Sequence, residues 1–223
     1  MAFATPILIT NFKAYQEAIG AKAVELAKMH ERVANEMGVN VAIVGMSLDL
    51  EMLAAAVSIP VLAQHMDGVT YGPYTGLIPV DVARSMGIDG SMLNHSERRL
   101  SDAQIVAALE NMKRLNMMSI VCAENDEEGV RYAGMGADFV AVEVPELIGG
   151  NVSVSQARPD VIQRAVAAIG KGKVIVGAGI KTGEDVRKAL ELGASGVLLS
   201  SGVVKAKDPM AALRDLCSGL KHC

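Results

Sequence analysis

The chain has 223 residues, 51% of them hydrophobic and 21% charged, with a formal net charge of −4. These values suit one globular domain over residues 1–223 and supply no field that would gather nucleic acid or anionic lipid. No stretch approaches the roughly 18 uninterrupted apolar residues of a membrane span, and the N-terminus lacks a cationic segment ahead of an apolar run, so a cytoplasmic protein is expected.

In chain order, short apolar runs alternate with longer stretches of helical spacing. The runs are Pro6–Thr10, Val41–Val44, Val61–Ala63, Ser91–Leu93, Ser119–Cys122, Phe139–Val142, Val174–Val176 and Val197–Leu199. They are too short for helices and rich in Val, Ile and Leu, as parallel strands covered on both faces should be. Helical spacing is clearest in Ala21–Met37, Asp102–Leu115, Asp160–Ile169 and Glu184–Leu192. Ser101 can cap the second of these, and Thr182 with Asp185 reads as a capping box with Asp in place of Glu. Gly38, Gly136 and Gly193 stand where a left-handed residue ends a helix. Eight strand–helix units in so short a chain favour an α/β fold of the closed kind, a single (β/α)8 barrel with a parallel sheet inside and helices outside.

Two connections are long. Glu143–Pro159 reads as a lid, and Met66–Pro79, with Tyr71 and Tyr74, as a lid or a partner contact. The three cysteines, Cys122, Cys217 and Cys223, are odd in number without CxxC spacing, so reduced thiols are expected and Cys122 reads as a buried structural one.

In such a barrel the chemistry lies at the carboxyl ends of the strands. There the sequence places Asn11 and Lys13 after the first run, His65 after the third, His95 after the fourth and Glu143 after the sixth. Gly177-Ala178-Gly179 follows the seventh and Ser200-Ser201-Gly202 the eighth. Each has an ordinary explanation alone: a solvated lysine, a satisfied histidine, a carboxylate ending a strand, a tight turn. Together they describe a site, and the small residues of the last two loops offer backbone N–H groups to a phosphate.

Asn11-Phe12-Lys13, Leu93-Asn94-His95-Ser96-Glu97-Arg98-Arg99, Val142-Glu143 opening a segment with Leu147-Ile148-Gly149, and Gly177-Ala178-Gly179-Ile180 occur in this order. In these motifs the chain resembles the triosephosphate isomerase family over nearly its whole length. Its shortness, Asn94 before the histidine, Ala63-Gln64-His65 and Gly196-Val197-Leu198-Leu199 resemble the archaeal branch, with several outer helices trimmed. The resemblance implies interconversion of dihydroxyacetone phosphate and glyceraldehyde 3-phosphate, a step shared by glycolysis and gluconeogenesis, with no metal and no other cofactor. It places the base at Glu143 and the electrophile at His95, whose charged form a helix start would disfavour. Lys13 and Asn11 would hold the substrate, with Phe12, Ile148, Gly179, Ser200 and Ser201 beside it. Glu146 reads as a lid or surface carboxylate, and Gln64 and His65 as scaffold. Glu97 is expected to orient Lys13 or the histidine loop, or to form a plain salt bridge. Val144 stands where the branch usually has proline, Gly150-Asn151 depart from its lid ending, and Ser200-Ser201 replace two glycines of longer relatives. Tyr71-Gly72-Pro73-Tyr74-Thr75-Gly76 resembles the family's dimerising loop, and a homotetramer is expected ahead of a homodimer.

Three other readings compete. A metal-dependent sugar-phosphate epimerase would use His65 and His95 as ligands. A Schiff-base aldolase would use Lys13. A phosphate-binding barrel without catalysis would keep only the last two loops.

Overall fold

A computed structural model describes residues 3–143, 159–177 and 179–222. Eight strands, β1 (Ile7–Asn11), β2 (Asn40–Gly45), β3 (Val61–Ala63), β4 (Gly90–Leu93), β5 (Met118–Ala123), β6 (Phe139–Val142), β7 (Val174–Val176) and β8 (Gly196–Leu199), form a closed parallel barrel in sequence order. Closure comes from β1, which pairs with β2 through Ile7↔Asn40 and with β8 through Ile7↔Gly196. Between and after the strands run α1 (Ala21–Met37), α2 (Leu50–Ala56), α3 (Val80–Ser85), α4 (Asp102–Arg114), α5 (Asp126–Gly134), α6 (Pro159–Ile169), α7 (Gly183–Glu191), α8 (Ser201–Val204) and α9 (Pro209–Ser218). No helix among the described residues is long and apolar enough to cross a membrane.

All eight apolar runs are strands: β3, β6 and β7 match the run, β1 is shifted by one residue, and β2, β4, β5 and β8 are longer by one residue at one end or both. Helices α2 and α3 were beyond the reach of periodicity because six or seven residues complete fewer than two turns.

Side chains alternate along each strand and so divide the apolar interior into two layers. Ile7 and Ile9 of β1 join Val44, Leu62, Ile120 and Ile175 inside the barrel, while Leu8, Val41, Ile43 and Val140 face the helices. Both layers are dry, which is why these strands carry little polar alternation.

The helix ends carry the chemistry their sequence suggests. The Ser101 hydroxyl accepts from the Gln104 N–H while the Ser101 N–H donates to the Gln104 side chain at 2.9 Å. Thr182 and Asp185 form the corresponding box at the start of α7, with bonds of 3.0 and 3.2 Å. Gly38, Gly136 and Gly193 have φ of +66°, +102° and +99°, values that a side chain rarely adopts.

One buried polar contact ties the first strand to the first helix. His30 of α1 is fully enclosed; its Nδ1–H donates to the Leu26 carbonyl at 2.7 Å, and its Nε2 accepts from the Thr10 hydroxyl at 2.9 Å. Burial lowers its pKa to about 4, opposed in part by the Leu26 carbonyl. The imidazole is therefore neutral, with both nitrogens occupied.

Candidate active site

The carboxyl ends of β1, β4, β6, β7 and β8 surround a cavity of about 470 Å³. Asn11, the last residue of β1, turns inward, and its Oδ1 accepts from the Lys13 N–H at 2.9 Å. Lys13 has φ of +50°, a conformation that costs any residue with a Cβ. The Gln64 amide braces it by donating to the Lys13 carbonyl at 3.0 Å and to Asn11 Oδ1 at 3.3 Å. Gln64 is scaffold, as expected, and the backbone it supports carries a site lysine. Lys13 Nζ meets Glu97 Oε1 at 2.6 Å, an ion pair whose carboxylate is itself exposed.

After β4 the chain turns at Asn94, and His95 enters the cavity. The Glu97 N–H donates to His95 Nδ1 at 3.1 Å, so the neutral ring carries its proton on Nε2. That nitrogen lies 3.3 Å from Glu143 Oε1. Burial depresses the His95 pKa first, and the nearby Lys13 charge depresses it further, against the opposite pull of Glu97. The expected helix start plays no part: α4 begins only at Asp102, and residues after His95 form a turn closed by the Arg98 N–H on the His95 carbonyl at 2.8 Å. Burial also raises the Glu143 pKa to about 7, opposed by the Lys13 charge and by the Ser96 N–H that donates to it. An acid and a base with displaced ionisation thus share one wall.

The far wall comes from the last two loops. Gly177, Gly179 and Ile180 after β7, and Ser200, Ser201 and Gly202 after β8, line the cavity. Gly179 has φ of +67°, which glycine adopts without strain. The Ser200 hydroxyl is enclosed without a hydrogen-bond partner among the described residues. Ala178 and residues 144–158, hence Ile148, Gly149, Glu146 and the departures at Val144 and Gly150-Asn151, lie outside the described residues.

Asn11, Lys13, His95, Glu143, Gly179, Ser200 and Ser201 are therefore brought together. Phe12 is not. Expected beside the substrate, it is fully buried in the outer layer, its ring centroid 5.5 Å from that of His30, because strand alternation sends it away from the cavity that Asn11 faces. His65 does not line the cavity either; its Nε2 pairs with Asp67 Oδ1 at 3.1 Å. Tyr15 was missed. It lines the cavity beneath Lys205 Nζ, 4.0 Å from its ring centroid, and nothing in the sequence around it marks that position.

Fold and cavity together define a barrel enzyme of the proton-transfer class, with a carboxylate and a neutral imidazole on one side and small-residue loops suited to an anionic group on the other. A family model described as triosephosphate isomerase matches residues 6–218. Triosephosphate isomerases similar to the chain include those of three archaea. That of Methanothermobacter thermautotrophicus is 48% identical over 96% of this chain and 95% of its own. That of Archaeoglobus fulgidus is 48% identical over 94% and 96%. That of Methanocaldococcus jannaschii is 44% identical over 94% and 98%. The chain belongs to the triosephosphate isomerase family, in its short archaeal form.

Proposed function

We propose that the chain interconverts dihydroxyacetone phosphate and D-glyceraldehyde 3-phosphate through an enediolate, with Glu143 as base and His95 as electrophile. The observation that carries this is the 3.3 Å approach of His95 Nε2 to Glu143 Oε1 at the mouth of a cavity whose other side is built from Gly179, Ser200 and Ser201. The ionised Glu143 takes a proton from the carbon beside the substrate carbonyl; the electron pair of that C–H bond forms the carbon–carbon double bond and the carbonyl π pair moves onto the oxygen. The Nε2–H of His95 donates to that oxygen as charge develops, and the Lys13 ammonium stabilises the same charge. Glu143 then returns the proton to the neighbouring carbon while His95 Nε2 relays the hydroxyl proton from one enediolate oxygen to the other, which opens the new carbonyl; oxidation is exchanged between two carbons of one substrate, so no redox partner is needed. The backbone amides of the last two loops hold the phosphate.

The test is a coupled assay: glyceraldehyde 3-phosphate is supplied and dihydroxyacetone phosphate is read through its NADH-dependent reduction. NADH consumption that depends on the protein is expected, and its absence from folded, pure protein refutes the proposal. Residues 1–223 are proposed to form one domain that assembles as a cytoplasmic homotetramer. Tyr71, Tyr74 and Leu77 stand exposed in the connection that would meet a second copy, a surface costly to leave in water. Light scattering during size exclusion distinguishes tetramer from dimer.

A further inference from the structure

The residue ahead of His95 is held more firmly than a turn requires. Asn94 is 1% exposed and has φ of +60°, which asparagine tolerates better than most residues with a side chain. Its Nδ2 donates to the Cys122 carbonyl at 2.9 Å and to the Tyr132 hydroxyl at 3.1 Å, and its Oδ1 accepts from the Leu100 N–H at 2.9 Å. The amide orientation is fixed by its partners, since a carbonyl can only accept and an N–H can only donate. The backbone is gripped as well, because Arg99 donates to the Asn94 carbonyl at 3.4 Å.

These partners come from three directions. Leu93 is the last residue of β4 and pairs with Val121 of β5, so the next position along would face Cys122. There the Asn94 side chain reaches the β5 carbonyl while its own backbone turns away from the sheet. Tyr132, among the largest fully buried side chains, belongs to α5, and Leu100 lies at the far end of the histidine turn. One side chain thus ties the start of the turn to its end, to the next strand and to the next helix.

We infer that Asn94 is a positioning residue for His95, converting the left-handed turn after β4 into a rigid mount that aims Nε2 at the substrate carbonyl. This rests on the proposed electrophilic role of His95. A mount of this kind acts on the transition state more than on binding, because the phosphate is gripped on the opposite wall.

Asn94→Gly permits the same φ and deletes all three side-chain bonds; Asn94→Asp keeps the size and the acceptor for Leu100 but removes the donors. For both, kcat is expected to fall about tenfold or more with KM within about twofold, the signature of a displaced catalytic group. The infrared carbonyl stretch of bound dihydroxyacetone phosphate, lowered in the parent by the imidazole, is expected to return toward its value in water. Parental kcat per folded site together with an unchanged carbonyl stretch, with only the melting temperature lowered, would overturn the inference and leave Asn94 a stabilising residue. Should Asn94→Gly not fold, Asn94→Asp is read by the same criteria. Lack of isomerase activity in the parent protein would instead remove the proposed function.

Discussion

His30 gives the sharpest quantitative test of how this barrel is held together. Its folded pKa is about 4, against 6.5 when free, and between those values the unfolded chain binds a proton that the folded chain rejects. The stability it contributes is therefore present above the unfolded pKa and is lost as pH falls toward 4. Worked from the two pKa values, lowering the pH from 7 to 5 costs about 2 kcal/mol through this one residue. Glu143 runs the other way, because its raised pKa means that the folded state gains a proton over the same interval. The quantity to measure is thus the difference between parent and His30→Gln, whose side chain can still bond Thr10 but does not titrate. Urea unfolding followed by circular dichroism, at one protein concentration throughout, gives ΔG at both pH values. The gap between parent and variant is expected to move in the variant's favour by about 2 kcal/mol on going from pH 7 to pH 5. A gap that does not change with pH would refute the buried, neutral state assigned to His30.

Glu143→Asp withdraws the base by about one bond length, and kcat is expected to drop by roughly 10²- to 10³-fold with a modest change in KM, read in the coupled assay. Glu143→Gln removes a carboxylate whose burial opposes ionisation, so denaturant unfolding should show it more stable than the parent by about 3 kcal/mol near pH 8, with little gain below about pH 4.5. A Cβ at Gly177 would stand 2.9 Å from Glu143 Cγ, so Gly177→Ala is expected to displace the base and lower kcat about tenfold. Parental turnover in Gly177→Ala would mean that Glu143 occupies a different place during the reaction.

The barrel could be read from the sequence because parallel strands covered on both faces have to be short and apolar, and Val174–Val176 declares itself in three residues. The polar side chains that meet in the cavity were readable for a related reason, since strand ends are where such a barrel exposes polar groups. The errors have physical causes too. Asn11, Phe12 and Lys13 read as one motif, yet neighbouring residues of an extended segment point to opposite faces, and Phe12 meets His30 instead of the cavity. His95 was given a helix start because Ser96-Glu97-Arg98-Arg99 looks like one, whereas the cap that nucleates α4 is Ser101, six residues on. The left-handed backbone at Lys13 and Asn94 left no trace in composition, because it is imposed by Gln64, Cys122, Leu100 and Tyr132, partners distant in sequence or across the histidine turn.

At the end of β1, Asn11 faces the cavity while Thr10 and Phe12 on either side meet His30 of α1. Radially, then, the molecule is divisible. A helix transplanted from a relative could bring its own partners for positions 10 and 12 and leave position 11 undisturbed, so the outer coat of the enzyme can be rebuilt one register at a time around an unaltered reaction chamber.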